Sequence, residues 1–374
     1  VFEAAKVAFT MWILLGISVA ILMRGKETPL RYFSLLKSVA THRFAYVMYL
    51  FLAIIFVWNK AFDLYFLGDD FTWLRWMAES NQSDIISFFT KSQGFFYRPV
   101  PKLWYFTLFS LFWLKPFAYH LMSIVLLLAS TFFVYRIVML RGVKRIFAWC
   151  GAFLFAVLAS HHENVYWISG QSSMLAAFFL MAGVYVSEES FGFFKRVPKS
   201  LIIGSVLLLT LFSMFSYDGM VVAPLIVILI ALSRDKNMRW PWALLVLLPL
   251  YIWMRQSAGA LAPQGDYGYK ATTAFVNAVG NGFGYMLASF GGPKYIELWN
   301  TWRTVSRQYI KEFTFAAAAF GLLLIWIVPK TWRGLKAYRS AFVWFIAFII
   351  ALAAYAPLGG MADRYTYIPS LFLT

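Results

Sequence analysis

Residues 44–71 read FAYVMYLFLAIIFVWNKAFDLYFLGDDF, and that stretch decides what kind of chain this is. It carries no charge before Lys60, enough apolar length for a helix to enter the ~30 Å hydrocarbon core of a bilayer. It ends on two adjacent carboxylates, Asp69 and Asp70, followed by Phe71. Ionised carboxylates are costly to hold beside hydrocarbon, and such groups usually mark function. The competing reading is a solvated turn just past a helix end, and the rest of the sequence has to separate the two.

The chain has 374 residues, of which 61% are hydrophobic, 20% aromatic and 13% charged. A soluble domain is about half apolar and a quarter charged, so this is an all-α polytopic membrane protein. Its formal charge of +17 would suit a nucleic-acid binder, but membrane proteins accumulate Lys and Arg in their cytoplasmic loops. The single cysteine, Cys150, lies in an apolar run and excludes an intrachain disulfide or a cysteine-based metal site. Both ends, Val1 and Thr374, read as continuing in the native protein.

Apolar runs of spanning length fall at 7–23, 44–61, 117–139, 146–160, 170–186, 200–216, 219–232, 240–255, 313–329 and 340–357, and an eleventh begins near 366. Segment 103–115 is too short to span and is expected to lie in the interface or re-enter. The whole reads as one transmembrane domain, with 1–43 an extra N-terminal span and loop and 44–374 the core. Alternating the connections puts 24–43, 140–145, 187–199, 233–239 and 330–339 on one side. These hold 18 of the 33 basic residues and only Glu27, Glu188, Glu189 and Asp235 as acids, which makes that side cytoplasmic. Topology thus accounts for the charge, and nucleic-acid binding is not expected.

The other side carries two long segments, 62–116 and 256–312, and most of the acids. Asp and Glu contribute little to orientation, so their placement at helix ends is informative. Asp69 with Asp70, Glu163, Asp218 and Asp363 each sit at an outer helix end, where a bundle could bring them to one cavity. After the acidic pair, Phe71-Thr72-Trp73-Leu74-Arg75-Trp76-Met77 reads as an amphipathic helix in the interface. Tyr97-Arg98-Pro99-Val100-Pro101-Lys102 reads as a rigid turn whose Arg98 and Lys102 suit a phosphate, Arg as a planar fork and Lys as a point charge, or else anchor the interface. His161-His162-Glu163-Asn164-Val165-Tyr166-Trp167 invites a metal reading. Adjacent residues rarely ligate one ion, however, and lining of a substrate cavity by His162, Glu163 and Trp167 is preferred. Asp218 in Ser216-Tyr217-Asp218-Gly219 is a turn former or a cavity acid. Arg364, beside Asp363, is a candidate for a lipid phosphate. No phosphate-cradling glycine loop, dinucleotide fingerprint or serine nucleophile elbow occurs, so an activated substrate would arrive through the membrane.

These motifs, in this order and on one side, resemble the GT-C type of membrane glycosyltransferase. The features are the acidic pair after a span, interfacial helices, Tyr97-Arg98-Pro99, a helix opening Ala118-Tyr119-His120-Leu121, the turn His162 to Gly170, and Asp363-Arg364-Tyr365-Thr366-Tyr367-Ile368-Pro369-Ser370. The nearest look-alikes are protein O-mannosyltransferases of the branch bearing tetratricopeptide repeats, and bacterial relatives. The resemblance covers roughly residues 44–374. It implies a bundle of about 10–11 spans that transfers a sugar from a polyprenyl-phosphate donor to an acceptor outside the cytoplasm, in a bacterial inner membrane with the site facing the periplasm. By position Asp69 matches the family's catalytic base. Asp70 stands where the family usually has Glu, as the partner that orients substrate. Arg98, Lys102 and Arg364 are the cations available to the lipid phosphate. The acceptor (a protein hydroxyl, lipid or glycan), the donor sugar and the use of a divalent cation stay open. Two other classes compete: a transporter or lipid flippase, which would carry charges mid-span in paired halves, and a catalytically silent subunit of a larger membrane complex.

Overall fold

The computed structural model describes residues 43–190, 192–262, 273–292, 339–358 and 360–373, with a few scattered positions between 268 and 319. The expected span 7–23, all but two positions of 313–329, the basic loops 24–42 and 330–338 and most of the outer segment 256–312 lie outside the described residues. Within them the chain is predominantly helical, as hydrocarbon requires of a backbone that must satisfy its own hydrogen bonds. The only β pairing among the described residues is an isolated bridge between Gln93 and Phe96.

In chain order the helices are α1 (Arg43–Trp58), α2 (Asp70–Ala78), α3 (Ile85–Thr90) and α4 (Pro99–Phe112). There follow α5 (Pro116–Leu140), α6 (Arg145–Val157), α7 (His162–Tyr166), α8 (Gln171–Glu189) and α9 (Lys199–Ser216). The series closes with α10 (Ala223–Arg234), α11 (Leu247–Ser257), α12 (Ala274–Gly291), α13 (Arg339–Ala353) and α14 (Tyr367–Ser370).

Among the described residues, four stretches are long and apolar enough to cross a membrane: Tyr46–Asp63, Pro116–Leu140, Ile168–Glu189 and Lys199–Ser216. A fifth forms if α6 and Ala159–Tyr166, bent by 44°, act as one broken span. The chain is a multi-pass membrane protein on these helices. Three expected spans come out shorter than the sequence implied. α10 and α11 have 12 and 11 residues, and at ~1.5 Å per residue neither alone crosses ~30 Å. Each is entered through a 3-10 turn, Asp218–Val222 and Trp240–Val246. The apolar part of α13 is Ala341–Ala353. A hydropathy window counts apolar residues whether or not they continue a single helix, which is why these runs looked longer.

The first outer segment also departs from expectation. Pro99 and Pro101 open a helix rather than a turn, because proline's fixed φ and missing N–H suit the first helical turn. Segment 103–115 is the body of that helix, α4, which stops at Trp113 with φ +51°.

The centre of the bundle is α8, which packs against α5, α9 and α10 while α5 also packs against α1 and α6. At one end Arg141 donates to Glu188 at 2.5 Å, to Ser233 at 2.9 Å and to the Ile230 carbonyl at 2.8 Å. Arg136 pairs with Glu189 at 2.8 Å and Arg234 with Glu188 at 3.6 Å. The ends of α5, α8 and α10 are thereby tied together where the basic connections lie. Glu188 and Glu189, assigned to a loop by the sequence, form the last turn of α8 and are buried. The acidic connections gather at the opposite end.

Candidate functional site

The turn into α2 separates the two carboxylates. Gly68 takes φ +57°, a conformation open to glycine and costly for a residue with Cβ. The chain reverses there and places Asp69 before the helix, with Asp70 as its first residue. Asp70 is buried. Its Oδ1 accepts from the Ser169 backbone N–H at 2.7 Å and the Ser169 hydroxyl at 2.5 Å, and its Oδ2 from the Leu67 N–H at 2.9 Å. Burial pushes its carboxyl upward against the pull of those hydrogen bonds. Asp70 therefore pins α2 to the α7–α8 connection. Asp69 is exposed, and among the described residues no group donates to its carboxylate or pairs with it.

Asp69 lines a cavity of about 220 Å³ together with Thr72, Trp73 and Trp76 of α2, Gln93 and Phe96, Arg98, Trp167, Ser169, Gly170, Ser173, Tyr217 and Arg364. Five separate parts of the chain meet there. Trp167 is set by its indole N–H donating to the Leu67 carbonyl at 3.1 Å. Gly170 permits the close approach of α7 to α8, since a Cβ there would meet the Asn164 Cα at 2.9 Å.

Arg98 forms a wall of this cavity and of a second, of about 300 Å³, lined mainly by Phe95, Tyr217, Val221, Tyr251, Ile252, Tyr355, Leu358 and Tyr365. Its Nε donates to Asp218 Oδ2 at 2.7 Å, and its guanidinium lies 4.2 Å from the Phe96 ring centre and 4.5 Å from that of Tyr217. None of the described residues accepts from its two Nη groups. Burial works against the charge, but Asp218, together with Tyr217 and Tyr365, outweighs it and holds the guanidinium more basic than usual. Asp218 also accepts from Arg255 at 2.6 Å, and Arg255 donates in turn to the Phe95 carbonyl at 2.5 Å. One carboxylate thus orients two guanidiniums and leaves the fork of Arg98 facing the cavities, a geometry suited to two oxygens of a phosphate.

Arg364 is held by Glu163, which accepts from both its backbone N–H and its guanidinium. The guanidinium lies 5.4 Å from the Trp167 ring centre. Beside it, Asp363 is pushed up to about 7 by burial first and then by the neighbouring Glu163 carboxylate, with Arg364 opposing. His162 Nε2 stands 3.7 Å from Asp363.

Asp69, Trp167, Arg98 and Arg364, all singled out in the sequence, line one cavity. Asp218 lines its neighbour, and Glu163 reaches the site through Arg364. Asp70, His162 and Asp363 stand behind these without lining either cavity. Lys102 is not brought to the site: it is 5% exposed, its ammonium donates to the Lys91 carbonyl at 2.6 Å, and burial lowers it to about 8. Among the described residues no group of three His, Cys, Asp or Glu side chains gathers to hold a metal. Sequence reasoning missed Arg255, a lone cation at the end of an apolar run, and the part played by Ser169. Comparison with family models, curated proteins and solved structures finds no match to this chain.

Proposed function

We propose that this protein is a membrane glycosyltransferase of the GT-C type, with about 10–11 spans, that takes a sugar from a polyprenyl-phosphate donor and attaches it to a hydroxyl at the non-cytoplasmic face. A bacterial inner membrane, with the cavity open to the periplasm, fits its helices and its loop charges. The observation that carries the reading is the pairing, in one cavity, of an unengaged carboxylate, Asp69, with the Arg98 guanidinium, whose Nη groups no described residue engages.

A hydroxyl nucleophile needs a base within hydrogen-bond reach. Asp69 takes the acceptor proton as the acceptor oxygen bonds to the anomeric carbon. The bond from that carbon to the phosphate oxygen breaks, and its electron pair leaves with the polyprenyl phosphate. Arg98, and Arg364 in part, stabilise the charge on that leaving group. One displacement inverts the anomeric centre, since Asp70 is engaged by three donors and is poorly placed to act as a second nucleophile.

The test is transfer from a radiolabelled polyprenyl-phosphate sugar by protein reconstituted in vesicles. Asp69→Asn is expected to lower the rate by at least about 100-fold, the lower range for a general base, with folding unchanged. Full activity in that variant would remove the assignment.

A further inference from the structure

The wall that carries Asp69 also carries an aromatic platform. Asp69, Trp73 and Trp76 follow one another at spacings of four and three, so they share one face of α2 and its first turn. Trp73 is steadied by Tyr105, ring centres 4.7 Å apart, and Trp76 meets it edge to face at 5.3 Å. Both are partly exposed and both line the cavity. Indoles at a membrane interface ordinarily face headgroups. These two face a cavity that also holds a carboxylate and a guanidinium.

Resting on the transferase reading, we propose that the hydroxyl presented to Asp69 belongs to a saccharide stacked on Trp73 and Trp76, and not to the Ser or Thr of a peptide. A pyranose face is a patch of C–H bonds whose positive ends meet the negative face of an indole, while its edges need donors and acceptors. Thr72 and Gln93 supply both on the cavity wall, and no described residue hydrogen-bonds to their side chains. One recurring way of holding an extended peptide is through its backbone on a free strand edge. At this rim Gln93 and Phe96 bond to each other through their N–H and carbonyl groups at 3.1 Å, and the carbonyls of the extended residues Trp167 and Tyr217 already accept from the N–H groups of Gly170 and Met220 at 2.9 and 2.8 Å.

The purified full-length protein in detergent is applied to a printed glycan array and to a matched array of Ser- and Thr-containing peptides. At least one glycan class is expected to bind, with no peptide binding. Trp76→Ala should weaken that binding about fivefold to tenfold, and Trp76→Phe should restore most of it, which separates lost stacking from lost folding. No glycan bound, binding indifferent to Trp76→Ala in folded protein, or peptides bound instead would each overturn the proposal. Asp69→Asn distinguishes this from the wider reading: it should keep glycan binding and lose transfer. If transfer survives in Asp69→Asn while glycans bind, the mechanism falls and the saccharide site stands.

Discussion

Asp70 accepts three hydrogen bonds and Asp69, its neighbour, accepts none from the described residues, so removing each has a different consequence. Asp70→Ala removes the acceptor of the partly buried Leu67 and Ser169 donors, at about 1 kcal/mol for each hydrogen bond lost. Its thermal unfolding midpoint in detergent should fall by several degrees, while that of Asp69→Ala stays near wild type. The adjacency of the two acids was plain in the sequence, but their division of labour was not. It depends on Gly68 turning the chain and on Ser169, 99 residues away. Asp363 gives a second outcome at this scale. Its folded pKa of about 7 lies above the ~3.9 of an unfolded carboxyl, so the folded state holds the proton more tightly. The stability this provides is complete below about pH 4 and is lost as pH rises through about 7. Asp363→Asn should flatten the stability profile over that window and be the more stable form at pH 8, read as unfolding midpoint against pH.

Among the elements, α2 and the turn Asp218–Val222 do most to build the site. The α2 helix was legible because its aromatic and apolar residues follow a helical period directly after an acid pair. The clamp was not: Arg98, Asp218 and Arg255 lie 120 and 37 residues apart, and no local pattern connects them. Arg255 is a lone cation at the end of an apolar run, and Arg98 and Lys102 stood in the sequence as phosphate candidates together. The fold parts these two candidates because Lys102 turns inward, its ammonium donating to the Lys91 carbonyl at 2.6 Å, while Arg98, just before α4, is held at the cavities by Asp218. Removing the shared carboxylate leaves two partly buried cations without their counter-charge, Arg255 keeping carbonyl acceptors. Asp218→Ala is therefore expected to cost about 3–5 kcal/mol. It should also raise KM for the polyprenyl-phosphate donor by more than it lowers kcat, because the Arg98 fork loses its orientation. Equal effects on both constants would argue against the clamp.

For the molecule as a whole, the sequence separated a basic end from an acidic one, and the fold keeps them apart. The ends of α5, α8 and α10 are tied by Arg136, Arg141 and Arg234 on Glu188 and Glu189, while Asp69, Glu163 and Asp218 serve the cavities at the other end. Loop charge gave this polarity because each connection carries its own sign. The number of crossings was less accessible, since 3-10 turns and the bend at Leu158 break apolar runs that hydropathy joins. On the proposed transferase reading, lipid phosphate is held at the acidic end, between the two cavities and within reach of Asp69. The direct measurement is a structure of the protein in nanodiscs with a polyprenyl phosphate. Phosphate density is expected hydrogen-bonded to the Nη groups of Arg98, with the lipid chain leaving along the cavity of Tyr217, Ile252 and Leu358. Phosphate density at Arg141 and Arg234, with the Asp69 cavity empty, would contradict it.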